Sequence, residues 1–159
     1  MSRRSEAPCF SPPFFLYFHN FQTKTCRVNQ QKLVAAAHKA KQNSHSPYSR
    51  FRVGAALLTR SGKIITGCNI EVSSYSLTLC AERVALFKAI SEGHRRFEAI
   101  AIATDLKEFV PACGACRQAL LDLAGNIDVI LCDAKKRTKK MRLKDLLPMP
   151  FDDSLLHHS

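Results

Sequence analysis

The chain has 159 residues, the length of one domain, and 46% of them are hydrophobic, enough for one ordinary core. No run of about 18 apolar residues occurs, which excludes a membrane-spanning helix. The net charge is +11, but residues 1–30 and 133–145 carry +8 of it. The central body is therefore only mildly basic, and charge does not single out a nucleic-acid partner. The seven cysteines follow no secretory signal pattern, so they read as thiols of a reducing, cytoplasmic compartment rather than as disulfides.

Residues 1–28 read as an N-terminal extension without helical or strand period, broken by Pro8, Pro12 and Pro13 and expected to be disordered. Residues 29–151 read as the folded domain and 152–159 as a short tail. A helix is expected over 29–42, capped by Asn29, with Leu33, Val34, Ala37 and Ala40 as its apolar stripe. His38 and His45 read as solvated. Ser46-Pro47-Tyr48-Ser49 makes a turn. Strands over 51–59 and 63–70 form a hairpin through Ser61-Gly62.

The run 79–90 reads as a helix whose apolar face is Leu79, Val84, Phe87 and Ile90. A third strand, 97–104, is apolar almost throughout and suits a strand covered on both faces. A helix opening at Cys113 ends at Gly125-Asn126. A fourth strand covers 127–132, and 141–143 belongs to a short fifth, with a basic turn between them. This order describes an α/β protein with a five-stranded mixed sheet covered by helices.

The two cysteine-bearing helix starts carry the chemistry. Cys80 and Glu82 open one, and Cys113 and Cys116 the other. A helix start exposes unpaired N–H groups and the positive end of its dipoles, and both favour thiolates. Three thiolates fill three of zinc's four tetrahedral positions and leave one for water. An open position beside a carboxylate describes catalytic rather than structural zinc. Arg83 and Arg117 each follow a cysteine-bearing turn and are expected to offset the site's negative charge from its second shell. The His-Glu-x-x-His spacing of common metalloproteases is absent. Hydrolytic removal of an exocyclic amine from a nucleobase is another reaction such a donor set can serve, with zinc-activated hydroxide attacking the amine-bearing carbon and Glu82 shuttling protons.

Residues from about 31 to 151 resemble the small homotetrameric cytidine deaminases with a three-cysteine zinc site. The resemblance rests on Ser46-Pro47-Tyr48-Ser49-Arg50-Phe51-Arg52-Val53-Gly54-Ala55-Ala56, Gly67-Cys68-Asn69-Ile70-Glu71, Cys80-Ala81-Glu82-Arg83, Cys113-Gly114-Ala115-Cys116-Arg117-Gln118, and Leu146-Leu147-Pro148 with Phe151. It implies a three-layer cytidine-deaminase-like fold and one zinc ion per subunit on Cys80, Cys113 and Cys116. It also implies Glu82 as proton shuttle at C4 of cytidine or deoxycytidine, in pyrimidine salvage. Asn69 and Glu71 would hold the sugar hydroxyls, Phe51 would face the pyrimidine, and the Ala81 backbone would contact the base. Tyr75 would lie near the sugar and subunit junction. Phe151 would enter a neighbouring subunit's pocket, giving a homotetramer with shared active sites. One departure stands out: the family's Pro directly before the second zinc cysteine is here Ala112, with Pro111 one residue earlier.

Two other readings stay open on the sequence. One is a related zinc deaminase acting on a nucleoside antibiotic or on a base in single-stranded nucleic acid. The other is a non-catalytic zinc module that contacts RNA. Asn69 and Glu71 favour a free nucleoside, because a polynucleotide needs its sugar hydroxyls for phosphate links.

Overall fold

The computed structural model describes residues 30–151; the expected extension, the Asn29 cap and the tail over 152–159 lie outside the described residues. The chain order is α1 (Gln30–Lys41), β1 (Val53–Thr59), β2 (Ile64–Cys68), α2 (Ala81–Ser91), β3 (Phe97–Thr104), α3 (Gly114–Ala124), β4 (Asp128–Cys132), β5 (Thr138–Arg142) and α4 (Leu143–Leu146). A single 3-10 turn at Tyr75–Leu77 interrupts the loop before α2.

The sheet order is β2-β1-β3-β4-β5. Only β3 and β4 run parallel; the other neighbouring pairs are antiparallel. The mixed character follows from the connections. The β1–β2 and β4–β5 hairpins need only tight turns, whereas β3 returns to β4 through the whole of α3. β3 lies in the middle of the sheet, so its Ala-Ile repeat is apolar on both faces.

Two cores result. Leu57, Ile100, Ile102, Val129 and Leu131 meet Leu86 of α2, Leu120 of α3 and Leu143 of α4 on one face. Ala56, Leu58, Ala101 and Ile130 meet Leu33, Val34 and Ala37 of α1 on the other. Each fully buried leucine stabilises the fold by roughly 1.5–3 kcal/mol.

Several expectations need correcting. The buried face of α2 is Ala81, Glu82, Ala85, Leu86 and Ala89. Val84 and Ile90 are only half-buried and Phe87 is 42% exposed. The cause is close approach: a Cβ at Gly67 would stand 2.5 Å from the Ala85 nitrogen, so α2 lies on β2 through its small residues. The fifth strand begins at Thr138, so Lys139 and Lys140 belong to it rather than to a turn, and Leu143 opens α4 instead. Lys140 and Arg142 hold that edge strand by ion pairs to Asp128 at 2.7 and 2.8 Å. His38 is not a solvated residue: its Nε2 is buried. Cys132 is a core thiol, and no disulfide joins the described cysteines.

Candidate active site

Cys80 and Cys113 are the residues immediately before α2 and α3. Both have extended backbone, with φ −71° and ψ 151° for Cys80 and φ −66° and ψ 164° for Cys113. Neither thiol caps its own helix, so both sulfurs remain free to meet in front of the two helix starts. Cys116 joins them from the first turn of α3. The three Sγ atoms lie within 4.8 Å of one another, and those of Cys80 and Cys113 are 3.9 Å apart. Tetrahedral zinc with Zn–S bonds of about 2.3 Å separates its sulfurs by about 3.8 Å. The donor set therefore fits zinc in both chemistry and spacing.

The electrostatics point the same way. The Cys80 thiol is pulled down to about 5, first by its hydrogen bond with Cys116 and then by Arg83 and Cys113, against the opposing effect of burial. The same contact with Cys80, together with burial and the nearby Glu82 and Cys80 charges, pushes Cys116 strongly upward. One thiolate is stable here without help; three require a cation among them.

Glu82 sits in the first turn of α2 and is only 4% exposed. Burial raises its carboxyl to about 7, with the Cys80 charge adding to the effect, while its own backbone N–H and Arg83 oppose it. A carboxyl in this range carries a proton part of the time at neutral pH, as a proton carrier must. Arg83 faces the sulfurs of Cys80 and Cys116, donates to the Thr78 carbonyl at 3.2 Å, and keeps a buried Nε without a partner. Arg117 does not reach sulfur. It donates to the carbonyls of Ala112 at 2.7 Å and Leu146 at 2.8 Å, tying the approach to Cys113 to the end of α4. Ala112 itself is 1% exposed, so the position where the sequence departs from the family pattern is a packed one.

A pocket of about 310 Å³ opens beside these groups. Phe51, Asn69, Glu71, Cys80, Glu82 and Cys113 all line it, which brings together six of the expected site residues. Asn69 is 7% exposed and works within the chain: Oδ1 accepts from Ser44 Oγ at 2.6 Å and Val53 N–H at 2.9 Å, and Nδ2 donates to the Phe51 carbonyl at 2.8 Å. One hydrogen of its amide remains. Glu71 accepts from the Tyr48 and Ser49 N–H groups at 3.0 and 3.1 Å and from Ser49 Oγ. These bonds, led by the one from the Ser49 hydroxyl, keep its carboxyl below the usual range.

Tyr75 lies in a neighbouring hollow of about 280 Å³ with Tyr48, Ser49, Glu71 and Thr78, so Glu71 and Thr78 belong to both spaces. Ala81 is fully buried and does not line the pocket. Phe151 is 57% exposed and lies outside it, held to α3 by bonds between its backbone and the Gln118 side chain. Val53, Ile102, Thr104, Val110 and Pro111 also line the pocket and were not expected. Ile102 and Thr104 were within reach of the sequence: they alternate at the end of β3, and Thr104 pairs with Val53 across the sheet.

The fold and the site thus define an α/β protein with a three-thiolate zinc centre, a buried carboxyl beside it, and a small pocket opening on both. The family model of the cytidine and deoxycytidylate deaminase zinc-binding region matches residues 27–132. A probable cytidine deaminase of Dictyostelium discoideum is 49% identical over 128 residues, covering 78% of this chain and 86% of that protein. A cytidine deaminase of Halalkalibacterium halodurans is 46% identical over 125 residues, covering 78% and 95%. The crystal structure of cytidine deaminase from Burkholderia pseudomallei superposes with a TM-score of 0.75 at 40% identity, covering 77% of this chain and 99% of that one. The chain belongs to the cytidine deaminase family, and its zinc is held by Cys80, Cys113 and Cys116.

Proposed function

We propose that this chain is a zinc-dependent cytidine deaminase that hydrolyses the C4 amine of cytidine and deoxycytidine, releasing ammonia and the uridine product. The observation that carries the reading is the sulfur cluster with Glu82 buried beside it, both facing one pocket. Zinc in such a site acts as a Lewis acid that makes water acidic near neutral pH. Glu82 takes one proton from the attacking water and gives it to the ring nitrogen N3, where the product keeps it; it then carries the second proton, from the new C4 hydroxyl, to the amine, which departs as ammonia. Phe51 lies against the pyrimidine, and the Ala81 backbone at the start of α2, behind the pocket wall of Cys80 and Glu82, is the group that would contact the base. Glu71 and the remaining Asn69 amide hydrogen meet the sugar hydroxyls, with Tyr75 beside them.

The lining of the two hollows favours a free nucleoside. Among the described lining residues there is no Lys or Arg, and there are two carboxylates, Glu71 and Glu82. A 5′-phosphate or a polynucleotide backbone would meet repulsion and no counter-charge. An RNA-contacting zinc module has no use for a buried carboxyl beside its metal.

The assembly we infer is a homotetramer in which Phe151 completes a neighbouring pocket. The exposed apolar side chains of Tyr75 (71% exposed), Leu77 (64%), Phe87 (42%), Ile70 (40%) and Val72 (36%) support burial between subunits. We place the catalytic unit at residues 29–151 and the enzyme in the cytoplasm, where thiols stay reduced. No helix of the described residues is long and apolar enough to cross a membrane. Ultraviolet absorbance loss with cytidine, deoxycytidine, cytosine, cytidine monophosphate and an aminopyrimidine antibiotic in parallel tests the reading. Turnover of the two nucleosides is expected. Faster turnover of the phosphate or the antibiotic would replace it.

A further inference from the structure

On the sheet face opposite the thiols, α1 packs over β1, β2 and β3. One flank of α1 forms the wall of a groove of about 800 Å³, whose other wall comes from Arg52, Asp105, Lys136 and Thr138. None of its lining residues lines the pocket beside Glu82. Its size lies within the range of small-molecule sites.

The walls are fixed. Gln30 Nε2 donates to Thr138 Oγ1 at 3.3 Å, joining the start of α1 to β5. The turn before β5 closes on fully buried Asp133, whose Oδ1 accepts from the Lys135 and Arg137 N–H groups at 2.9 and 2.8 Å. Lys136, between them, is held at φ 63°, a conformation that few non-glycine residues adopt.

The charge in the groove is unbalanced. Its one carboxylate, Asp105, is already shared by Lys41 at 2.6 Å and Arg52 at 2.7 Å. Lys39 and Lys136 line the groove with no ion pair among the described residues. Arg52 meets Asp105 through Nε, and its guanidinium has four further N–H groups. His38 adds a buried Nε2 with no hydrogen-bond partner. By contrast, Lys140 and Arg142 on the edge strand have spent their charge on Asp128. An unpaired imidazole nitrogen beside cations that no carboxylate balances is the complement of a compact polyanion.

We propose that this groove binds a small ligand carrying two or more phosphate groups, with Lys39, Lys136 and Arg52 meeting the phosphate oxygens and the His38 ring turning to offer its unpartnered Nε2 to one of them. The test is calorimetric titration of the full, zinc-loaded chain with sodium tripolyphosphate and, separately, with adenosine triphosphate. Each is expected to bind once per chain. A Lys39→Glu/Lys136→Glu double variant should weaken both by about tenfold or more. An equal charge reversal outside the groove, Arg60→Glu/Arg96→Glu, should change them by less than about twofold.

Absence of binding, or equal loss in the two double variants, overturns the proposal. So does a single-stranded RNA that binds the unaltered chain while tripolyphosphate does not. If the groove variant fails to fold, the His38 imidazole resonances of the unaltered chain decide the matter. They should move on addition of tripolyphosphate, and unmoved resonances reject the site.

Discussion

Replacing Glu82 with glutamine keeps the size and shape of the side chain and removes its ability to exchange a proton. The surroundings set the size of the effect. Glu82 is 4% exposed and its carboxyl is raised to about 7, so no solvent carboxyl or buffer ion can take its place at the same point. A positioned acid–base group contributes about 10²–10⁴ in rate. In the proposed mechanism Glu82 serves both the water and the leaving amine, so kcat for cytidine should fall by at least the upper end of that range.

Zinc content should stay at one per chain, since the three sulfurs are untouched. The same change has a stability signature in the metal-stripped chain. A carboxyl raised from 4.5 to about 7 on folding binds more protons folded than unfolded between those values. The Glu82 contribution is therefore fully present below pH 4.5 and falls by about 3 kcal/mol as pH rises through 7. The amide of the Glu82→Gln variant does not titrate, so that part of the slope should vanish. Metal analysis, steady-state absorbance and urea unfolding across pH read the three quantities. Turnover within about tenfold of wild type at full zinc occupancy would refute the proton-carrier role.

Stripping zinc and labelling with an alkylating reagent should modify Cys80 ahead of Cys116, because Cys80 is the stabilised thiolate and Cys116 is buried with its thiol pushed upward; mass spectrometry showing the reverse order would contradict the electrostatics described above. Gly54→Ala should destabilise by at least about 1–3 kcal/mol, the cost of overpacking, since its Cβ would stand 2.2 Å from the Ala37 carbonyl oxygen and 2.4 Å from the Lys41 nitrogen. A thermal midpoint equal to wild type would mean α1 can withdraw from β1. Asp105→Asn should weaken the fold at neutral pH. Burial opposes ionisation of Asp105, but Lys41 and Arg52 outweigh it and hold the carboxyl below 3.8. That contribution is present above pH 3.8 and is lost as pH falls through the lower folded value, so variant and wild type should converge in acid unfolding experiments.

The zinc ligands were legible because their information is local. Two helix starts, each with a thiol just before or within the first turn, already fix which atoms project forward, and the sheet then brings the two starts together. The strands were legible for a similar reason: 97–104 is apolar almost throughout because both its faces are covered. The buried face of α2 was not legible from its large residues. Its closest approach to β2 runs through Ala81 and Ala85, chosen for closeness rather than hydrophobic bulk, while Phe87 is exposed and Val84 only half-buried. The fifth strand is longer than its sequence suggests because its residues lack alternation; it is held by backbone pairing to β4 and by ion pairs at Asp128, which depend on residues distant in sequence. The internal bonds of Asn69 and Glu71 were equally invisible, since each joins residues far apart in the chain.

Asn69 constrains anyone who would redesign this pocket. Its amide holds Ser44, Phe51 and Val53 in one arrangement, so the group proposed to meet a sugar is also the clamp on the Phe51 backbone. On the proposed binding mode, selectivity toward the pentose and placement of the Phe51 ring cannot be tuned one at a time through this position. A library that varies Asn69 alone would scatter Phe51 in most of its members. Altered sugar preference is better sought from Tyr75, whose side chain borders the neighbouring hollow shared by Glu71 without holding Phe51 or Val53.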